Sequence, residues 1–207
     1  MLLVVASLGI IASPAAAAPN PRVTYLESVS SGGTGCPQDT VDATFSDDRT
    51  ELTLNFDEFS ATSGEDVPVT EHSKNCQISL NVRAPKGLSI PFGTFAYTGS
   101  IDLPGDVTGT QSSTYTFDGQ PFNGSMSRVG GPNISGDTES TSYSGASGSG
   151  TLTDLGFFPT FKTACATVPL VIAANVSLAG PNDAEASIAV DSLVIKMKGS
   201  ATFTAAC

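Results

Sequence analysis

Residues 77–83 read QISLNVR, and the fold follows from the way they alternate. Ile78, Leu80 and Val82 fall on one side of an extended chain; Gln77, Ser79, Asn81 and Arg83 fall on the other. Successive side chains of a strand point to opposite faces, so this period of two marks a half-buried strand and not a helix. The pattern recurs outward in both directions. In TELTLNF (50–56) Leu52, Leu54 and Phe56 share one side, and Leu170, Ile172, Ala174, Val176 and Leu178 do the same later. No stretch shows a convincing amphipathic helical period. Strands with one wet face, separated by turn residues, predict an all-β chain folded as an antiparallel, jelly-roll-like β-sandwich.

The parity of the last apolar run changes midway. Ile188 and Val190 are even, whereas Leu193, Ile195 and Met197 are odd. One extra residue at Asp191-Ser192 absorbs the change, which predicts a β-bulge or tight turn there. Asp191 is then either a carboxylate re-aimed into a site or a hydrogen-bond acceptor that closes the kink, and the second reading is preferred.

The chain opens with MLLVVASLGIIASPAAAA (1–18), an uncharged apolar run too short to span a bilayer, ended by small residues. It is read as a signal peptide, leaving 19–207 as one secreted domain. Four cysteines, Cys36, Cys76, Cys165 and Cys207, suit that oxidising compartment. They allow three pairings. Pairing neighbours, Cys36 with Cys76 and Cys165 with Cys207, is favoured, and the sandwich is expected to be stapled by two disulfides. Each would close a loop of about 40 residues, a chain-entropy contribution of about 4 kcal/mol. Residues from about 135 to 151 (SGDTESTSYSGASGSGT) are poor in apolar side chains and are expected to form a long Gly/Ser-rich loop within the domain.

Charged residues make up 14 % of the chain, with a net charge of −11. A typical soluble protein has about 25 %. Acidic surfaces repel phosphate backbones and anionic lipid heads, so neither nucleic acid nor membrane insertion is expected. Serine, threonine, glycine and asparagine cover the surface instead. Three sequons, at Asn123, Asn133 and Asn175, are candidate N-glycosylation sites that would make this a glycoprotein in a eukaryotic secretory pathway.

Catalytic signatures are weak, and no catalytic, cofactor or metal residue is assigned. His72, the only histidine, is the one natural general base near neutral pH. No GxSxG elbow accompanies it, and beside Glu71 and Lys74 it reads as an exposed loop residue. Metal binding by cysteine and histidine lacks any CxxC pair. Asp47-Asp48, Asp57-Glu58 and Glu65-Asp66 offer carboxylates for glycoside hydrolysis, but neighbours on a strand point to opposite faces and are not themselves dyads. The same acids are the only calcium donors worth weighing. SDDRTEL (46–52) reads better as a turn, and no cofactor is expected. With no tryptophan in the chain, Tyr97, Tyr115 and Tyr143 are the rings left to stack on a sugar.

GTGCP (33–37), SDDRTELTLNFDEF (46–59) and KNC (74–76) occur here together. Pro85 and Gly87 of APKG, Tyr97 and Gly99 of YTG, STYTF (113–117), GGP (130–132) and the late Asp191-Ser192 accompany them. In these elements the chain resembles a domain-of-unknown-function family of small secreted fungal and bacterial proteins. FTAAC at the end stands where that family usually has a tryptophan before its last cysteine. The resemblance implies a secreted β-rich domain with these four cysteines and no known activity. A non-catalytic protein that binds or coats a cell wall, glycan or host surface is the expected class. The alternatives are a carbohydrate-active hydrolase using paired carboxylates and a structural protein that self-assembles through edge strands. An extracellular glycan or a surface protein is the expected partner.

Overall fold

A computed structural model describes residues 25–83, 92–117, 120–121, 126–129, 138–144, 147–156 and 167–197. The leader, Cys165, Cys207, Asn123 and Asn133 lie outside the described residues. The described residues form thirteen strands: β1 (Tyr25–Gly32), β2 (Val41–Phe45), β3 (Glu51–Phe56), β4 (Ser60–Ser63), β5 (Ser73–Arg83), β6 (Phe92–Asp102), β7 (Thr108–Phe117), β8 (Gln120–Pro121), β9 (Met126–Val129), β10 (Thr138–Ser144), β11 (Ser147–Gly156), β12 (Thr167–Ala179) and β13 (Ala186–Met197). Among the described residues the only helical piece is one 3-10 turn, Val69–Glu71.

Two antiparallel sheets form a β-sandwich. The first runs β1-β5-β12-β7-β10, with β8 beside β7; the second runs β2-β3-β13-β6-β11-β9, with β4 beside β13. From β4 onward the chain passes repeatedly between the sheets, and the late strands β12 and β13 insert into their middles. That is the jelly-roll habit expected from the alternation. The alternating residues behave as their parity requires: Leu52, Leu54, Ile78, Leu80, Leu170, Ile172, Leu193 and Ile195 are all at most 2 % exposed. Phe95 and Tyr115 pack at 4.2 Å between ring centroids, and Phe56 and Phe59 at 5.5 Å.

The parity change in β13 is a bulge. Val190 pairs with Gly99 and Ser192 with Thr98, leaving Asp191 without a partner across the ladder. The kink is closed by main chain, Val190 N–H donating to the Phe59 carbonyl at 2.9 Å, while Asp191 itself is exposed. The closing role expected for its carboxylate therefore falls to the backbone.

The loop expected at about 135–151 is corrected: 138–144 and 147–156 are strands β10 and β11. Serine and threonine tolerate extended backbone as well as turns, and here long partners decide. β10 pairs with β7 over seven positions, and β11 is held between β6 and β9. Among the described residues one disulfide is seen, Cys36–Cys76, as favoured from the sequence.

Candidate functional site

The polar halves of β5, β12 and β7 form the outer face of the first sheet. Register sets them in rows across the strands. Gln77 lies opposite Ala173 and Ala173 opposite Thr114; Asn75 opposite Asn175 and Asn175 opposite Ser112; Ser73 opposite Ser177 and Ser177 opposite Thr110. The β10 backbone continues these rows with Thr138, Ser140 and Ser142. Every one of these residues is uncharged, and hydroxyl or amide groups dominate. Neighbours restrain side chains on this face: Asn175 Nδ2 donates to Ser73 Oγ at 3.3 Å, and Asn81 Nδ2 donates to Ser28 Oγ at 2.8 Å.

Charge near this face is paired. Lys74 meets Glu71 at 2.7 Å at one end. At the other, Glu27 accepts from Arg83 at 3.0 Å and from the Thr167 hydroxyl. The outer face of the second sheet differs, carrying Asp42, Glu51, Asp102, Asp191 and Lys196. Hydroxyls and amides both donate and accept, so the first face can meet a neutral ligand rich in hydroxyl groups, each bond adding about 0.5–1.5 kcal/mol net.

GTGCP and KNC meet at the edge of this face. Thr34 N–H donates to Asn75 Oδ1 at 2.9 Å, Asn75 N–H returns a bond to Thr34 Oγ1 at 3.1 Å, and Gly35 N–H donates to the Asn75 carbonyl at 2.8 Å. Gly33 has a φ of 134°, and a β-carbon on it would lie 2.4 Å from the Asn75 carbonyl oxygen. Glycine is required there on both counts. The Cys36–Cys76 bond sits directly behind, with both cysteines at most 1 % exposed. The two motifs are a structural clasp between β1, β5 and the segment after β1.

The sequence-derived candidates are scattered. Asp47-Asp48, Asp57-Glu58 and Glu65-Asp66 occupy three separate connections, and among the described residues no three His, Cys, Asp or Glu side chains gather as metal ligands would. Asp48 closes its turn as SDDRTEL suggested: Oδ1 accepts from Ser46 Oγ at 2.7 Å, Thr50 Oγ1 at 2.8 Å and Thr50 N–H at 3.1 Å. These bonds, led by the Ser46 hydroxyl, hold its carboxyl below the usual value.

His72 departs from the exposed residue expected. It ends the 3-10 turn half-buried, its Nε2 shut from solvent without a hydrogen-bond partner, and its carbonyl accepts from Leu178 N–H of β12 at 2.8 Å. Tyr97 and Tyr115 are also corrected as sugar-stacking rings. They are 3 % and 1 % exposed, and their hydroxyls meet at 3.2 Å between the sheets. Their inward parity was readable; their polarity suggested the surface instead. The Tyr143 side chain lies outside what is described. The hydroxyl face was missed for the opposite reason. Thr108, Thr110, Ser112, Thr114 and Thr116 alternate plainly in TGTQSSTYT (108–116), but polar parity alone reads only as wet.

A family model described as Domain of unknown function (DUF4360) matches residues 23–206. An "Uncharacterized secreted protein" of Arthroderma benhamiae is 43 % identical over 103 residues, 50 % of this chain and 42 % of that protein. The match thus spans less than half of that relative's length. Among solved structures, the enzymatically active domain of bacteriophage CBA120 tailspike protein 4 is similar at a TM-score of 0.32 and 15 % identity, over 86 % of this chain and 20 % of that one. A carbohydrate-binding module, CBM36, in complex with calcium and xylotriose is similar at a TM-score of 0.30 and 9 % identity, over 81 % of this chain and 98 % of the module.

Proposed function

This chain belongs to the DUF4360 family, and from that premise we propose that it is a secreted, non-catalytic protein that binds a neutral polysaccharide of an extracellular surface. The binding element is the outer face of the first sheet. One observation carries the reading: three adjacent rows across β5, β12 and β7, extended by register onto β10, contain hydroxyl, amide or small residues and no charge. In a chain of net charge −11 that face is the exception, and it suits a ligand that brings hydroxyl groups and no charge of its own. The same rows hold no carboxylate, imidazole or thiol to move a proton, so they support retention and not turnover. The secreted Arthroderma benhamiae relative and the leader read at 1–18 support an extracellular place of action.

The test is a pull-down of the mature protein on insoluble chitin, β-glucan and cellulose, with reducing sugar assayed in the supernatant. Retention on at least one polymer without sugar release is expected. A companion variant, Ala173→Glu, puts a charge at an exposed position amid the rows and should abolish retention while leaving the melting temperature unchanged. Release of reducing ends, or retention unaffected by Ala173→Glu, would overturn the proposal.

A further inference from the structure

Asn175 stands at the centre of the face just described. Its strand is paired on both sides, with Asn75 across from it on β5 and Ser112 on β7. Its side chain has outward parity between buried Ala174 and Val176, and it is half-buried by its neighbours. Asn175-Val176-Ser177 is a complete sequon, and Ser177 lies on the same face, opposite Ser73. Nδ2, the atom that a glycan would occupy, points along that face to Ser73 Oγ at 3.3 Å. A branched oligosaccharide attached there has no route except outward, over the rows on either side.

We infer that Asn175 is an N-glycan acceptor whose occupancy switches the outer face of the first sheet between a binding form and a shielded form; the switch rests on the reading of that face given above. The modification is ordinary transfer from a lipid-pyrophosphate-linked oligosaccharide in a eukaryotic secretory pathway. The bond from Asn175 Nδ2 to the anomeric carbon forms, the carbon–oxygen bond to the pyrophosphate breaks, the lipid pyrophosphate leaves with that electron pair, and the amide proton goes to a base of the transferase. The acceptor must be extended and accessible, so transfer has to precede closure of the sheet. β5 and β7 are synthesised before β12, and insertion of β12 between them competes with transfer as soon as Asn175 emerges. Both forms therefore leave the cell, the bare one able to bind and the glycosylated one covered.

The experiment is secretion of the full chain from a yeast host with Asn123→Gln and Asn133→Gln, so that only the third sequon remains. Glycopeptide mapping and intact mass should show partial occupancy of Asn175. On the polysaccharide that retains the bare protein, the glycosylated fraction should pass into the unbound material. The same chain exported to a bacterial periplasm, which attaches no such oligosaccharide, supplies bare protein with every row residue intact, and all of it should enter the retained fraction. An Asn175 peptide free of glycan overturns the acceptor assignment. Equal retention of glycosylated and bare forms overturns the switch while leaving the binding face intact. If the bare periplasmic protein is retained on no polymer, the binding reading falls and the switch with it.

Discussion

Replacing Gly99 by alanine puts the bulge of β13 to a direct test. Gly99 pairs with Val190 just before the unpartnered Asp191, in the contact between β6 and β13 at the middle of the second sheet. A β-carbon there would lie 2.0 Å from the Ala189 carbonyl oxygen, 3.0 Å from its carbon and 3.1 Å from Val190 Cα. Ordinary contact begins at 3.4 Å, so the strands must separate by about 1.4 Å (3.4 less 2.0). All three obstacles are main chain, and no side chain can swing aside. Overpacking of a tight interior costs about 1–3 kcal/mol, and each ladder bond lost adds about 0.5–1.5 kcal/mol. The variant should therefore lose about 3 kcal/mol or more. At an m-value of about 1–3 kcal/mol/M this lowers the urea midpoint by about 1–3 M. Gly32→Ala is the control, since its β-carbon meets nothing within 4 Å and should shift stability by about 0.5 kcal/mol at most. A Gly99→Ala protein as stable as the Gly32→Ala control, with an unchanged m-value, would refute the bulge register at Val190–Ser192.

The paired change Cys36→Ala, Cys76→Ala opens a loop of sequence separation 40 and should cost about 4 kcal/mol in urea unfolding. Because both cysteines are buried, thiol labelling with mass spectrometry should find the bond intact in reductant until denaturant is added. Asp48→Ala should show a pH signature. The folded-state carboxyl titrates below its ordinary 3.8, so its contribution is complete above that value and disappears as pH falls through the lower, folded-state one. The melting-temperature gap between wild type and variant should stay constant from about pH 7 to 5 and close below about pH 4; a gap that widens in acid contradicts the turn geometry. Tyr97→Phe removes one partner of a buried hydroxyl pair and should cost about 1 kcal/mol without altering retention on polysaccharide. Lost retention with an unchanged melting temperature would mean that the ring faces ligand.

The sandwich was legible because period-two alternation carries a strong energetic contrast. A register slip of one residue would expose Ile78, Leu80 and Val82 together, so their parity determines which side of β5 is core. The bulge was legible for the same reason, as a parity that could be reconciled only by one extra residue. β10 and β11 were not, because serine, threonine and glycine make no such contrast between faces. Their strands exist through pairing with β7 and β6, and that partnership is long-range. The buried tyrosines failed differently. Hydroxyl groups suggest water, yet Tyr97 and Tyr115 satisfy part of their polarity on each other inside the core. As for the site, its residues were visible one by one, whereas the face appears only when the register sets Asn75, Asn175 and Ser112 in one row.

The clasp and the face are mechanically one structure. Cys76 points inward from β5, and its neighbours Asn75 and Gln77 point outward into the rows. Fixing the cysteine to Cys36 therefore fixes the outward direction of both amides. Asn75 is further restrained, its Oδ1 held by the Thr34 amide and its carbonyl by Gly35. A face made of short polar side chains gains little from each contact, and its affinity depends on how little those groups lose when a ligand orders them. A buried staple one residue from the rows supplies such order before binding. Its removal should thus weaken retention on polysaccharide even at temperatures where the disulfide-free protein is still fully folded by circular dichroism. If retention instead tracks the folded fraction alone, the staple serves stability only and the face is ordered by the sheet itself.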